Sequence, residues 1–359
     1  MITGNKGEWS EFYTFLKVLD ERKLFFADAD LNKIEDKYYS VINIVREEAT
    51  STKKIYDLSE EGKIKIVNFD DSSLGVIDAK KVKSSIAKIF EKMKISSGSF
   101  SIAEADELVN ELKCAQIKAG NSDKADIIMT IKEQMSPMSV EMGFSIKSML
   151  GGAATLLNAS GSTNFVYKIE GFNGNINEVN KINSRSKVRD RIKMIEENGG
   201  KIIFDSLVSE KFKNNLKKID IVFAEILATS LKNFYEGKGL TITETCQFLD
   251  QNDTLKVKYD LSENDFEYKI KAFLRAVALG MVPNRTWNGL NAAHGGYLIV
   301  KEDGDVVCYH LYNMDAFQNY LFKNTKFETP STTRHGFGEI YQKDGGLFIN
   351  LNLQIRFLK

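Results

Sequence analysis

VEMGFSIKSML, residues 140–150, alternates in polarity in the way that is typical of a β-strand. Successive side chains of an extended segment point to opposite faces. The apolar face of the predicted strand carries Met142, Phe144 and Ile146. The opposite face carries Glu141, Gly143, Ser145 and Lys147. The first face is typical of a core, whereas a lysine at the end of the second face indicates a functional site.

A second strand is predicted directly before this one, in KADIIMTIKEQ, residues 124–134, with a short turn around Pro137 between the two. Asp126 stands at the start of the first strand and Lys147 near the end of the second. Their separation, 147 − 126 = 21 residues, suits a strand, a turn and a strand. We therefore expect the carboxylate and the ammonium group to lie at the same end of a strand pair.

Helices and further strands are predicted around this pair. Amphipathic periodicity of about 3.6 residues predicts helices beginning near residue 7 and over 31–48, 76–96, 101–120, 177–200, 209–239 and 262–282. Period-two alternation and turn residues predict strands in 53–59 and 63–71 and hairpins in 295–313 and 337–357. The predicted fold class is α/β, with a mixed sheet flanked by helices and a β-rich C-terminal part.

The composition limits the class of protein. The chain has 359 residues, of which 43% are hydrophobic and 27% are charged, and this suits one large domain or two closely packed ones. Three scattered cysteines, no signal peptide and no apolar run of ~18 residues favour a reduced, cytoplasmic protein without a membrane span. With 49 basic and 49 acidic residues, a polyanionic partner must be bound by local clusters of charge.

An aspartate on one strand and a lysine on the next are the parts from which metal-dependent nucleases of the PD-(D/E)XK type build their site. Carboxylates hold Mg²⁺, and the metal ion and lysine stabilise charge that develops on the phosphate. Here Ser145 occupies the position two before Lys147, where that pattern has an acid. Because a serine cannot replace a charged ligand, we expect the second acid to come from Glu11 or Glu8 on the opening helix. Glu141 lies ~13 Å too far along the strand.

Five segments together resemble the HpaII family of type II restriction endonucleases. They are GNKGEWSEFYTFLKVL (4–19), ADI (125–127), GFSIKSMLGGAATLLNASGSTNF (143–165), NTKFETPSTTRHGFGEIY (324–341) and LNLQIRF (351–357). The resemblance runs nearly from end to end. It implies Mg²⁺-dependent cleavage of double-stranded DNA to leave 5′-phosphates, CCGG as the target of close relatives, a possible homodimer on a palindromic site, and a partner DNA methyltransferase. A serine-x-lysine variant also occurs among restriction enzymes.

On this interpretation Asp126, Ser145, Lys147 and Glu11 are the expected catalytic residues, with Asp126, Glu11 and Glu8 as metal ligands. The whole chain, 1–359, would form one endonuclease unit. Within it we expect a catalytic core from 1–30 and 120–170, a helical middle part over 171–282 and a recognition part over 283–359.

Two clusters are candidates for DNA contact. The run KINSRSKVRDRIK, 181–193, contains six basic residues, among them Arg185, Lys187 and Arg189. The loop 323–338 combines bases, amides and hydroxyls in Asn324, Lys326, Thr332, Thr333, Arg334 and His335. Arg334 is the first choice for reading guanine, because a guanidinium can donate two hydrogen bonds to the O6 and N7 atoms.

Structural alternatives exist for each of these residues. Lys147 could be an edge lysine that reaches to solvent, and Asp126 could pair with Lys124 or Lys132. The two glutamates could serve the dipole of the opening helix, the basic run could be a solvated helix face, and Arg334 could form a salt bridge. Two other functions also fit a nuclease-like chain: a structure-directed repair or recombination nuclease, and a DNA-binding protein without catalysis.

Overall fold

The computed structural model describes residues 2–48, 52–120, 125–134, 138–251, 254–310 and 313–359. The strands are β1 (Thr3–Asn5), β2 (Lys23–Ala27), β3 (Lys33–Glu47), β4 (Lys53–Asp57), β5 (Lys63–Asn68), β6 (Ser73–Asp78), β7 (Ser99–Ser101), β8 (Ile127–Glu133), β9 (Ser139–Ser148), β10 (Thr155–Leu157), β11 (Asn164–Glu170), β12 (Lys201–Leu207), β13 (Gly296–Val300), β14 (Val306–Tyr309), β15 (Thr325–Phe327), β16 (Ile340–Lys343), β17 (Gly346–Asn352) and β18 (Ile355–Phe357).

The helices are α1 (Lys6–Glu21), α2 (Ala79–Ile95), α3 (Ala103–Glu111), α4 (Ile176–Lys181), α5 (Lys187–Glu197), α6 (Glu210–Lys217), α7 (Phe223–Glu236), α8 (Ile242–Gln251), α9 (Thr254–Tyr259), α10 (Asp265–Leu279), α11 (Met314–Lys323) and α12 (Thr332–His335), and a 3₁₀ turn spans Gly161–Thr163. Within the described ranges no helix is long and apolar enough to cross a membrane.

The chain divides into two compact units. The first unit contains Met1–Ala154, Asn291–Tyr320 and Lys359, and the second contains Thr155–Leu290 and Leu321–Leu358. The hairpin of β13 and β14 therefore belongs to the same unit as the opening helix, although it follows residue 283 in the sequence.

The described strands of the first unit form a nine-stranded mixed sheet in the order β2-β14-β13-β9-β8-β3-β4-β5-β6. At its centre β9 pairs antiparallel with β8 and parallel with β13. The α/β class and the adjacency of the two strands around Asp126 and Lys147 are thus confirmed. The turn predicted around Pro137 lies outside the described residues. Phe144 and Ile146 are buried, as expected for the apolar face.

The helix predicted over 31–48 is wrong, because these residues form the long strand β3. One half of β3 pairs with β2, and the other half lies between β4 and β8. The segment YYSVINIV is rich in aromatic and β-branched residues, which fit a pleated surface better than a helix. Strand pairing on both sides of β3 therefore outweighed the apparent helical periodicity.

The opening helix α1 is confirmed, and it holds its first turns against the centre of the sheet. Asn5 caps it by accepting a hydrogen bond from the Glu8 amide, 3.1 Å away. Its buried residues include five large apolar side chains, Trp9, Phe12, Phe15, Leu16 and Leu19. Full burial of such a side chain stabilises the fold by roughly 1.5–3 kcal/mol. The Ser10 hydroxyl donates to the Ser148 hydroxyl, 2.8 Å away, and this bond fixes the helix over the end of β9.

The helix predicted over 101–120 is too long. The observed helix α3 ends at Glu111, and Leu112–Gly120 continue as an irregular segment. Lys113 has a positive φ of 58°, which lies outside the helical region. This segment reaches the neighbourhood of α1, where it carries Lys118.

The second unit combines helices with two small sheets in the described residues, β12-β11-β17-β16 and β10-β18-β15. The hairpin around Asp344 and Gly345 is confirmed by the pairing of β16 with β17. Helices predicted in 177–200, 209–239 and 262–282 are also present, although each of the first two ranges is divided into two helices. Strand β12 follows α5 directly and was not predicted from the sequence.

Candidate active site and nucleic-acid interface

Asp126 lies immediately before β8, and its carboxylate is fixed against β9. Its Oδ2 atom accepts hydrogen bonds from the Ser145 hydroxyl at 3.0 Å and from the Ile146 amide at 2.7 Å. The Asp126 amide in turn donates to the Phe144 carbonyl. Lys132 stands six strand residues away, roughly 20 Å, so it is not the partner of Asp126. Lys124 lies outside the described residues.

Lys147 continues the same chain of polar contacts. Its ammonium group donates to the Ser145 hydroxyl at 3.0 Å and lies 5.2 Å from the centre of the Tyr297 ring. Ser145 is 4% exposed, and its hydroxyl accepts from Lys147 while it donates to Asp126. Burial lowers the pKa of Lys147, while the charges of Asp126 and Glu11 oppose this shift. The side chain therefore does not reach out to bulk water as an edge lysine would.

Glu11 places a second carboxylate beside Asp126. Its side chain is 15% exposed, and among the described residues no group donates a hydrogen bond to its Oε2 atom. Burial, followed by the charge of Asp126, raises the pKa of Glu11 to about 7, while Lys118 and Lys147 act in the opposite direction. Both carboxyl groups line one small cavity, together with Arg46 and Ala119.

The other acids considered from the sequence have different surroundings. The Glu8 carboxylate accepts a hydrogen bond from the Asn5 amide at 2.8 Å and so completes the capping box of α1. The helix-terminus alternative therefore suits Glu8. Glu141 is exposed on β9 opposite Thr130, remote from Lys147.

The cluster is suited to bind a cation. The described residues contain no group of three or more His, Cys, Asp or Glu side chains that could hold a metal ion. However, Mg²⁺ commonly uses only one or two protein carboxylates and takes its other ligands from water and substrate phosphates. A buried carboxylate oxygen without a donor, beside a second carboxylate, fits that requirement. A bound cation would also offset the repulsion that raises the pKa of Glu11.

In the second unit, a cavity of about 580 Å³ brings the two predicted DNA-contact clusters together. The basic and hydroxyl side chains that line it are Arg185, Lys187, Arg189, Lys326, Thr332 and Thr333. The Arg189 guanidinium lies against Gly237, where a Cβ atom would be 2.6 Å from it. Gly237 also has a φ of 84°, so this position favours glycine for two reasons.

Three other predicted contact residues do not line the cavity. Arg334 and His335 belong to the short helix α12, and Asn324 precedes β15. Arg334 is exposed, and no salt bridge joins it to any residue that the structure describes. The salt-bridge alternative for Arg334 therefore finds no support. The His335 carbonyl accepts a hydrogen bond from the Asn164 side chain at 2.8 Å, and this bond anchors α12 to β11.

One basic residue of the run 181–193 is not available to DNA. Arg191 is buried, and its guanidinium donates to the carbonyls of Gly338 and Asn180 at 2.6 and 2.7 Å. Counting all six basic residues as phosphate contacts was therefore wrong. Arg191 instead attaches helix α5 to the residues that follow α12.

Residues that sequence reasoning set aside have structural roles. Glu267 and Lys269, which imitate an acid-x-lysine motif, lie on helix α10, as expected. His310 is buried beside Tyr39 and Met142, and burial lowers its pKa to about 4. The three cysteines are buried and free.

Sequence reasoning missed two neighbours of the site, Tyr297 and Lys118. Tyr297 follows from no motif, because only the parallel pairing of β13 with β9 places it opposite Ser145. Lys118 lies in the irregular segment after α3, where no periodicity gives its direction.

Comparison with known proteins identifies the protein family. A sequence model described as HpaII restriction endonuclease matches residues 5–357. The chain belongs to the HpaII restriction endonuclease family. The endonuclease is 38% identical over 359 residues to the type II restriction enzyme HpaII of Haemophilus parainfluenzae, with 99% of each chain covered. No solved structure matches it.

Family membership confirms the resemblance and the predicted class of activity. The endonuclease is a type II site-specific deoxyribonuclease of restriction-modification systems, and its substrate is double-stranded DNA. Enzymes of this type generally use divalent metal ions. A binding protein without catalysis and a nuclease directed by DNA structure are therefore the weaker interpretations.

Proposed function

We propose that the endonuclease hydrolyses CCGG sites in a Mg²⁺-dependent reaction on a PD-(D/E)XK-type core. Asp126 and Glu11 would hold the metal ion, and Lys147, positioned by Ser145, would act beside the scissile phosphate. The observation that carries this proposal is the continuous array of Lys147, Ser145 and Asp126 with the donor-free oxygen of Glu11 beside it.

Mg²⁺ in this position would supply Lewis-acid stabilisation of the phosphate and acidify a water molecule. Lys147 contributes a positive charge that orients the attacking water and offsets charge gained on the phosphate in the transition state. The oxygen of that water forms a bond to phosphorus, and the bond from phosphorus to O3′ breaks. The O3′ atom takes up a proton, and the phosphate remains on the 5′ end.

Recognition would belong to the second unit. Cations around the 580 Å³ cavity, namely Arg185, Lys187, Arg189 and Lys326, are suited to backbone phosphates. Thr332 and Thr333 add hydroxyl groups, and Asn324 and His335 are further candidates for base or phosphate contacts. Arg334 is the proposed reader of guanine, because its guanidinium is exposed and has no described ionic partner.

We also infer a homodimer, since CCGG is palindromic and a twofold axis would place one site on each strand. A cognate methyltransferase would protect the host sites, and a cytoplasmic location follows from a DNA substrate of this kind. Glu8 stays outside the proposed ligand set because of its capping role.

Digestion of a mapped plasmid tests the proposal. We expect discrete fragments only with Mg²⁺, and sequencing of the ends should give CCGG with 5′-phosphates. Discrete cutting at another sequence would remove the CCGG assignment but keep the class of enzyme. Nicks that follow DNA structure, or cutting that is unaffected by chelation of divalent ions, would contradict the proposal.

A further inference from the structure

A second lysine stands on the open side of the acid cluster. The Lys118 ammonium group lies 3.8 Å from the Oε1 atom of Glu11, the oxygen on the other side of the carboxylate from the donor-free Oε2. The Lys118 side chain is 55% exposed, whereas that of Glu11 is 15% exposed. Lys118 therefore borders the site and also presents its charge to solvent.

The backbone that carries Lys118 is fixed on both sides, although it has no regular structure. Before Lys118, the Arg46 guanidinium donates to the Gln116 carbonyl at 2.5 Å, and the Ala115 amide donates to Glu48 at 2.9 Å. After Lys118, the Gly120 amide donates to the Glu47 carbonyl at 2.7 Å.

Arg46 and Glu48 are themselves a buried ion pair, with 5% and 2% of their side chains exposed. Burying two charges is costly unless further hydrogen bonds satisfy them. Here those further bonds go to the backbone of the segment that carries Lys118. This buried pair on β3 thus anchors the segment in a defined position beside Glu11.

The two lysines near Glu11 are suited to different tasks. Lys147 is held by Ser145 and the Tyr297 ring below the surface, so it can act only at the centre of the site. Lys118 has a long side chain in contact with water and an acid partner that a metal ion would also bind. Exchange of that partner for a phosphate would conserve the charge balance around Glu11.

We propose that Lys118 is a further catalytic residue that contacts a phosphate oxygen at the cleavage site once its ion pair with Glu11 opens. This inference rests on the proposed function. Its chemical basis is that a flexible, exposed ammonium group can follow charge onto the phosphate, where transition-state charge is stabilised most effectively by fixed cations.

Binding of a CCGG duplex without metal, measured over a range of salt concentrations, tests the phosphate contact. Loss of one such contact lowers the slope of log K against log salt by ~0.9. We expect this decrease for Lys118→Ala, little change for Lys118→Arg, and none for Lys132→Ala. Lys132 is the matched control, since it is an exposed lysine of the same sheet, remote from the site. Unchanged slopes in all three variants would overturn the proposal.

A double-mutant cycle tests the exchange of partners. Glu11→Gln removes the competing carboxylate, so metal-free binding of DNA should tighten, and most of that gain should disappear in the Lys118→Ala background. Equal gains in both backgrounds would contradict the exchange, because they would arise from general repulsion by Glu11.

Single-turnover cleavage with Mg²⁺ separates a catalytic role from a structural one. We expect Lys118→Ala to slow cleavage by about 100-fold, the lower range for loss of one group that stabilises transition-state charge. Slower cleavage with an unchanged salt slope would mean that Lys118 acts through Glu11 alone, and this would also overturn the proposal. If Lys147→Ala is inactive while Lys118→Ala is normal, only this inference fails. If Lys147→Ala cleaves normally, the proposed function fails.

Discussion

The acid and lysine cluster of the first unit differs from the basic cavity of the second in how its charges are satisfied. Asp126, Ser145 and Lys147 are buried or partly buried and bind one another. Around the cavity, Arg185 and Arg189 are exposed, and neither forms a salt bridge within the described residues. Burial lowers the pKa of Lys147 and raises that of Glu11, whereas the cations of the cavity face water.

This difference separates chemistry from recognition. Reaction requires groups held in fixed geometry on regular elements, and here β8, β9 and α1 supply them. Recognition of a long polyanion requires cations that remain hydrated until counterions are released from DNA. Substitutions in the first set should therefore change the rate of cleavage, and substitutions in the second should change affinity and discrimination between sequences.

The largest effect is expected for Asp126→Asn. Asparagine retains an oxygen that can accept from Ser145 or Ile146, so the fold should change little, but the charged ligand is lost. We expect no measurable cleavage of CCGG plasmid and normal binding of DNA without metal. The matched control is Glu141→Gln, an exposed acid on β9, which should cleave like the wild type. Wild-type cleavage by Asp126→Asn would remove Asp126 from the site.

Lys147→Ala should reduce single-turnover cleavage by several orders of magnitude. An interaction that strengthens in the transition state affects the chemical step more than binding. The affinity for a CCGG duplex at fixed salt should change by less than about 1 kcal/mol, because one phosphate contact among many is lost. Thermal melting checks that the variant is folded. A rate within tenfold of wild type would mean that Lys147 is structural.

Glu11→Gln should lower activity and raise the Mg²⁺ concentration that is needed, and it should do so with a characteristic dependence on pH. Because the pKa of Glu11 is raised to about 7, the carboxylate form increases as the pH rises through 7. Cleavage by the wild type should increase over the same range, and Glu11→Gln should lose this step. Glu8→Gln preserves the capping box, since glutamine also serves there, and should behave like the wild type. A reversed ranking would transfer the role to Glu8.

The same substitution should stabilise the metal-free protein. Between pH 4.5 and 7 the unfolded chain ionises at Glu11 while the folded chain remains protonated, so stability falls as the pH rises through this range. At pH 8 Glu11→Gln should therefore raise the free energy of unfolding by up to about 3 kcal/mol, at 1.36 kcal/mol for each tenfold difference in proton affinity. Urea titrations at pH 5 and pH 8 measure this. An equal effect at both pH values would contradict the raised pKa.

Local sequence pattern predicted the strand pair of Asp126 and Lys147 because alternation fixes which side chains share a face. The same kind of pattern failed for β3, where pairing with strands from distant parts of the chain decides the structure. It also failed for Lys118 and Arg191. Their positions depend on hydrogen bonds to backbone carbonyls 70 or more residues away, which no local period reveals.

Arg334→Ala sharpens the comparison from the side of recognition, with the smallest expected effect. If its guanidinium donates two hydrogen bonds to one guanine, the loss should narrow the preference for CCGG over a site with that guanine replaced by roughly 1–3 kcal/mol. Arg185→Ala is the control, because an exposed cation of the cavity that contacts phosphate should weaken binding to both duplexes equally. Titrations of the two duplexes with each variant at one salt concentration distinguish the roles. Equal losses for Arg334→Ala on both duplexes would make Arg334 a backbone contact, and base recognition would then have to come from the threonines, Asn324 or His335.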